Sequence, residues 1–176
     1  MAAPCARLHF VREPVRSGDR GRPFYGIVRQ RVGVVDIVKR SWGWIGIEPV
    51  EVVAMNSFGN LLIKDATNRY WRLCPEDLYC QIVAENDASL ATLLKDPDFA
   101  EDWEMRELVR LAHKKLGPLE NGRRYCLKIP GILGGAYDEQ NLATIALGEL
   151  ISFSGHLAGQ IKDLPEGSKI EFKFTE

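Results

Sequence analysis

Gly131, Gly134 and Gly135 lie in the stretch GILGGAYDEQNLATIAL (131–147), the part of the chain that comes nearest to a phosphate-cradling loop. A dinucleotide site needs Gly-x-Gly-x-x-Gly opening a helix, so that backbone N–H groups and the helix N-terminus meet the pyrophosphate. Here the order is Gly-x-x-Gly-Gly, and the run LATIAL (142–147) predicts a strand after it. A P-loop needs Gly-Lys-Ser/Thr, and Ala136-Tyr137 stand there instead. The glycines therefore read as a sharp turn after Pro130, with Tyr137 packing back on it.

The other reactive side chains form no catalytic set. His9 lies in an Arg-rich start, His113 at the edge of a helical stripe and His156 opposite an apolar helix face. No two have metal-ligand spacing. Ser152 and Ser154 flank Phe153 without the Gly-x-Ser-x-Gly frame of a hydrolase elbow. Cys5, Cys74, Cys80 and Cys126 read as free thiols, since Cys74 and Cys80 are six apart with no histidine nearby. The expectation is a protein without catalytic residues, metal or cofactor. An enzyme or small-molecule-binding module with a pocket near Tyr137 is the alternative from another class, and a regulatory protein-binding module is a third.

Charge is the more informative chemistry. The formal net charge of −1 excludes an overtly basic nucleic-acid binder. From Arg7 to Arg40 there are nine Lys/Arg against three acids, and from Cys74 to Leu108 ten acids against Lys95 and Arg106. The acidic block is open to two readings: a solvated helix face with favourable dipole placement, or a surface for a basic partner. Asp98, Glu101, Asp102 and Glu104 surround Trp103, so these five residues are the candidate partner-binding set. Trp103 itself reads as packed against a neighbouring short helix or as an interface anchor.

The elements that must hold these residues follow from period and punctuation. Val34, Val35, Ile37 and Val38 leave helix and strand open, and the intervening charges lean the segment toward a helix ending near Ser41. VEVVAM (50–55), NLLIKD (60–65), RYWRLC (69–74) and LYCQIVA (78–84) predict an antiparallel meander, with Gly59 and Asn68 carrying positive φ in the turns. A short helix over ASLATLLKD precedes one long helix, capped by Asp96 before Pro97, stopped by Gly117-Pro118 and striped with Met105, Val109, Ala112 and Leu116. Strands at 124–129 and 142–147 lead to a helix with Leu147, Leu150, Ile151, Leu157, Ala158 and Ile161 on one face, then an alternating strand in SKIEFKFT (168–175). Trp71 reads as core, whereas Trp42 and Trp44 either cap the core or offer an exposed contact.

This order predicts an α+β fold with helices packed on a mixed, mostly antiparallel sheet. The 176 residues, 45% hydrophobic and 27% charged, fit one domain. Residues 1–24 read as a flexible arm and 25–176 as the domain. The N-terminus lacks the apolar core of a signal peptide and no run suits a membrane helix, so a cytoplasmic location is expected.

The segments SWGW, NSFGNLLIKDATNRYWRLCPED, YCLKIPGILGGAYDEQNLATIAL and GQIKDLPEGSKIEF resemble immunity proteins of bacterial type VI secretion systems with a Tdi-type C-terminal domain. The resemblance runs from about Gly33 to the C-terminus and is most specific at Leu133–Asp138 and Gln160–Gly167. The Phe-Gly-Asn-Leu-Leu hairpin is similar to the broader SMI/KNR-like immunity proteins, which are α+β. Residues 1–32 lie outside it. The resemblance implies a non-enzymatic protein that binds and silences a cognate toxin, commonly a nuclease and hence basic, inside the producing cell and its siblings.

Overall fold

Four residues apart on one helical stripe, Val34, Val38 and Trp42 select a helix where the local pattern was ambiguous. In the computed structural model, α1 spans Val32–Trp42, with Val38 and Trp42 buried. The structure describes residues 32–165, 167–168 and 170. The expected arm (1–24), the arginines before residue 32 and nearly all of the expected strand at 168–175 lie outside the described residues.

The meander forms as β1 (Pro49–Met55), β2 (Leu61–Asp65), β3 (Tyr70–Cys74) and β4 (Tyr79–Ala84), paired in that order and antiparallel throughout. Gly59 and Asn68 have φ of 79° and 65°, as the turn chemistry predicted. The β2–β3 turn is held by Asp65, whose carboxylate accepts from Thr67 N (2.8 Å), Arg69 N (3.0 Å) and Trp71 Nε1 (2.8 Å). Burial opposes its charge, but these hydrogen bonds outweigh it and hold the carboxyl well below the usual range.

Both faces of the meander are covered, and strand alternation sorts them. Leu61, Ile63, Trp71 and Leu73 pack against α1 and the last helix, α5 (Leu147–Ile161). Leu62 and Ala54 turn the other way, toward Trp103. That side is covered by α2 (Asp87–Leu93) and α3 (Pro97–Glu104). A separate antiparallel pair, β5 (Arg123–Leu127) and β6 (Leu142–Ala146), packs with α4 (Arg106–Leu116) around Phe58, Leu108, Ala112 and Tyr125. The fold is α+β in one domain, and its strands divide between two antiparallel sheets. Trp71 is core, and the Trp42/Trp44 pair divides: Trp42 is 1% exposed and Trp44 45%.

The long helix expected over 97–116 is two helices. Met105 lies between them with φ 47°, in the left-handed region. The break re-aims the stripe: Leu108 and Ala112 are the buried residues of α4, whereas Leu116 is exposed.

Where α1 crosses α5 the two backbones nearly touch. A Cβ on Gly155 would lie 2.6 Å from the Ser41 carbonyl oxygen. Trp42 Nε1 donates to Ile151 O and Trp44 Nε1 to Gly155 O, both at 3.2 Å, across the same crossing. Helix propensity alone favours Gly155→Ala by about 1 kcal/mol. The close approach reverses that sign, and we expect a net loss of about 1–3 kcal/mol. A urea midpoint that rises would contradict it.

Candidate partner-binding face

The acidic helix pair begins with a cap. Asp96 accepts from Asp98 N at 2.9 Å, and Pro97 follows at the first helical position, where no amide is missed. Asp98 and Glu101 are exposed and make no salt bridge among the described residues. Glu104 pairs with Arg106, and Glu107 with Arg110. Asp102 turns back to Arg72.

Trp103 is not on this surface. It is 4% exposed and packs with Ala54, Leu62 and Phe99, so the reading of it as an exposed interface anchor gives way to the packing one. Leu90 and Leu94, in and just after α2, border the same cluster. The cause is the opposite face of the meander: Arg72 alternates out of β3 away from Trp71, and Trp103 covers it. The Arg72 guanidinium lies 5.8 Å from the Trp103 ring, 5.7 Å from Phe99 and 5.9 Å from Tyr79.

Behind the face runs a buried polar chain that composition did not reveal. Arg72 Nη2 donates to Asn60 Oδ1 at 3.2 Å, and Asn60 Nδ2 donates to Glu76 Oε1 at 2.5 Å. Burial works against the Arg72 charge, but the hydrogen bond to Asp102 and the fields of Tyr79, Asp102 and Cys74 together outweigh it, so its pKa stands above the ordinary guanidinium value. Glu76 Oε2 has no hydrogen-bond partner among the described residues, and Glu76 lines a cavity of about 20 Å³ with Phe58, Leu127 and Ser154. Burial pushes the Glu76 carboxyl up to about 7. The signal available in sequence was only its place among ten acids.

Glu76 and Asp77 also tie down the glycine loop. Gly131 N donates to Glu76 O at 2.7 Å, and Tyr137 OH to Asp77 Oδ1 at 2.5 Å. Asn141 Nδ2 bridges Ile129 O and Ala136 O at 2.8 and 2.9 Å. A Cβ at Gly135 would fall 1.8 Å from Ile129 O, and one at Gly131 would meet the Tyr137 hydroxyl at 2.6 Å. Gly131 and Gly135 therefore serve close packing, Gly134 supplies the positive φ of the turn at 84°, and Tyr137 packs back as the turn reading predicted. Its ring is still 45% exposed.

Between the loop and the acidic helices lies a groove of about 790 Å³. Ala100, Met105 and Leu108 give it apolar surface, Glu101, Asp102 and Glu107 give it carboxylates against one cation among the described residues, Arg106, which pairs with Glu104, and Tyr137 lines it from the loop. His113 and His156 are exposed, and Cys74, Cys80 and Cys126 are free thiols whose pKa burial raises. No metal-binding group of three His, Cys, Asp or Glu occurs among the described residues. Nor is any helix among them long and apolar enough to cross a membrane.

Residues 84–158 match the family described as T6SS immunity protein Tdi1, C-terminal. Over this segment the chain is similar to the C-terminal domain of Tdi1-type type VI secretion immunity proteins. The matched segment runs from the end of β4 into α5 and contains all five candidate residues, the groove-lining helices and the glycine loop. Among solved structures, Atu4351 from Agrobacterium tumefaciens aligns with 20% identity and a TM-score of 0.47, over 69% of this chain and 62% of that one. The chain thus spans less than two thirds of that protein's length. No curated protein matches.

Proposed function

We propose that the protein binds and neutralises a cognate type VI secretion toxin, acting as an immunity protein without turnover, with residues 25–176 as the working domain. The observation that carries this reading is the Tdi1-family match over 84–158, which falls on the acid-rich α3–α4 region. The toxin is a nuclease whose phosphate-binding surface is basic, and the immunity protein occludes that surface. An interface of about 1,600 Å² would suffice. Asp98 and Glu101, exposed and without salt bridges among the described residues, direct the approach. Asp102 and Glu104 add to the field while holding Arg72 and Arg106. Trp103 supports the face from beneath. Opposed potentials raise the encounter rate, which an inhibitor of a lethal enzyme needs.

Co-production with the toxin encoded beside it should restore growth, and failure to protect would overturn the reading. Asp98→Lys with Glu101→Lys spares the Arg72 ion pair and tests the face. Association at low salt should slow by on the order of tenfold or more, with a weakened salt dependence. An unchanged association rate in a folded variant would remove these two acids from the contact.

A further inference from the structure

We infer that the groove between α3–α4 and the glycine loop is a slot for one basic side chain of the toxin, an arginine laid against the Tyr137 ring. The inference rests on the immunity reading for its partner and on the groove for its chemistry. Three requirements of a guanidinium meet there. An aromatic face is available: the Tyr137 ring is half exposed, and its hydroxyl is fixed to Asp77 at 2.5 Å. The missing side chain of Gly131 lets it lie flush on the loop, since a Cβ there would come within 2.7 Å of the ring. A ring already held in place loses little freedom when a cation stacks on it.

Negative charge is available too. Glu101 lines the groove and has no salt bridge among the described residues, while Asp102 and Glu107 keep theirs with Arg72 and Arg110. Arg106 lines the groove too and feels the Glu101 charge, but its ion pair is with Glu104, so of the three lining carboxylates among the described residues Glu101 alone keeps both oxygens free of a salt bridge for an incoming cation. Ala100, Met105 and Leu108 offer apolar surface for the methylene stem. Arginine suits this combination better than lysine, because its planar group stacks and pairs at once.

Titration with N-acetyl-arginine amide, followed by ¹H–¹⁵N spectra of the intact protein, tests the slot without the toxin. Amides of residues 100–108 and 137 should shift, and the neutral isostere N-acetyl-citrulline amide should shift them far less. Tyr137→Ala or Glu101→Gln should weaken the arginine response roughly three- to thirtyfold. Equal responses to the two probes, or shifts confined to other surfaces, would overturn the slot. In a second arm, Ala100→Trp fills the groove, and the exposed variant Glu101→Gln guards against misfolding. Each should weaken binding of the purified toxin by about tenfold or more. Toxin binding by the wild type that neither variant alters would refute the slot and leave the immunity reading standing. Absence of toxin binding by the wild type would refute the immunity reading itself.

Discussion

Replacing Arg72 with alanine should lower the folding free energy by about 3–5 kcal/mol, from an orphaned buried acceptor and a void rather than from a lost ion pair. Asp102 contributes little to that figure, because its side chain is 66% exposed and water can replace the lost partner. The loss has two other sources. Asn60 is fully buried, and its Oδ1 would be left without the donors at Arg72 Nη2 and Nε, a cost of about 1–3 kcal/mol. The guanidinium also fills the space among Tyr79, Phe99 and Trp103, so its removal opens a void between the meander and α3. Arg72→Met separates these sources. It keeps most of the volume and loses the hydrogen bonds, so it should fall between wild type and alanine. Urea unfolding of the three proteins supplies the comparison. Equal stability of alanine and methionine would place the whole effect in the polar chain, and a loss below 1 kcal/mol would deny the residue its structural role.

The same residues show how far sequence carries. The meander was legible because its turns announce themselves: Gly59 and Asn68 stand where positive φ is required. Asp96-Pro97 marked the start of α3 for an equally local reason. The end of α3 was not legible, because nothing in Trp103-Glu104-Met105-Arg106 breaks a helix. The break is imposed from a distance: Asn56 Nδ2 donates to the Trp103 carbonyl at 2.7 Å, satisfying an acceptor that a continuous helix would have used itself. The Met105 sulfur sits 3.7 Å from the same amide nitrogen. Local periodicity cannot report a contact with a residue 47 positions away. Trp103 stayed open between packing and anchoring for a related reason. Its neighbours in sequence are acids, while its neighbours in space are the buried face of the sheet. The acids Asp98 and Glu101 were legible as exposed, but the groove that Glu101 shares with Tyr137 depends on how the loop is tied to Asp77.

Glu76 supplies the second large effect, and its sign runs against the usual acid denaturation. An unfolded glutamate titrates near 4.5, whereas in the folded chain burial, helped by Asp77 and opposed by the Asn60 hydrogen bond and Arg72, carries it up to about 7. Below pH 4.5 the group is protonated in both states and has no effect on stability. As pH rises from 4.5 to 7 the unfolded chain loses a proton that the folded chain keeps, so stability falls across that window. Above it the deficit is constant, at about 3 kcal/mol from about 1.4 kcal/mol per pH unit. Glu76→Gln cannot ionise and retains an oxygen for Asn60. One N–H of its amide takes the position of the acid's O–H and the second is an added donor toward the small cavity, so the variant approximates the protonated form. The variant should match wild type at low pH and exceed it by about 2–3 kcal/mol at pH 8, with the divergence confined to the window between. Urea midpoints of the two proteins measured across that range decide it. Parallel curves would mean that Glu76 folds as an ordinary carboxylate. Divergence would mean that the glycine loop, which hangs from the Glu76 carbonyl through Gly131 N, rests on a group kept neutral by its surroundings.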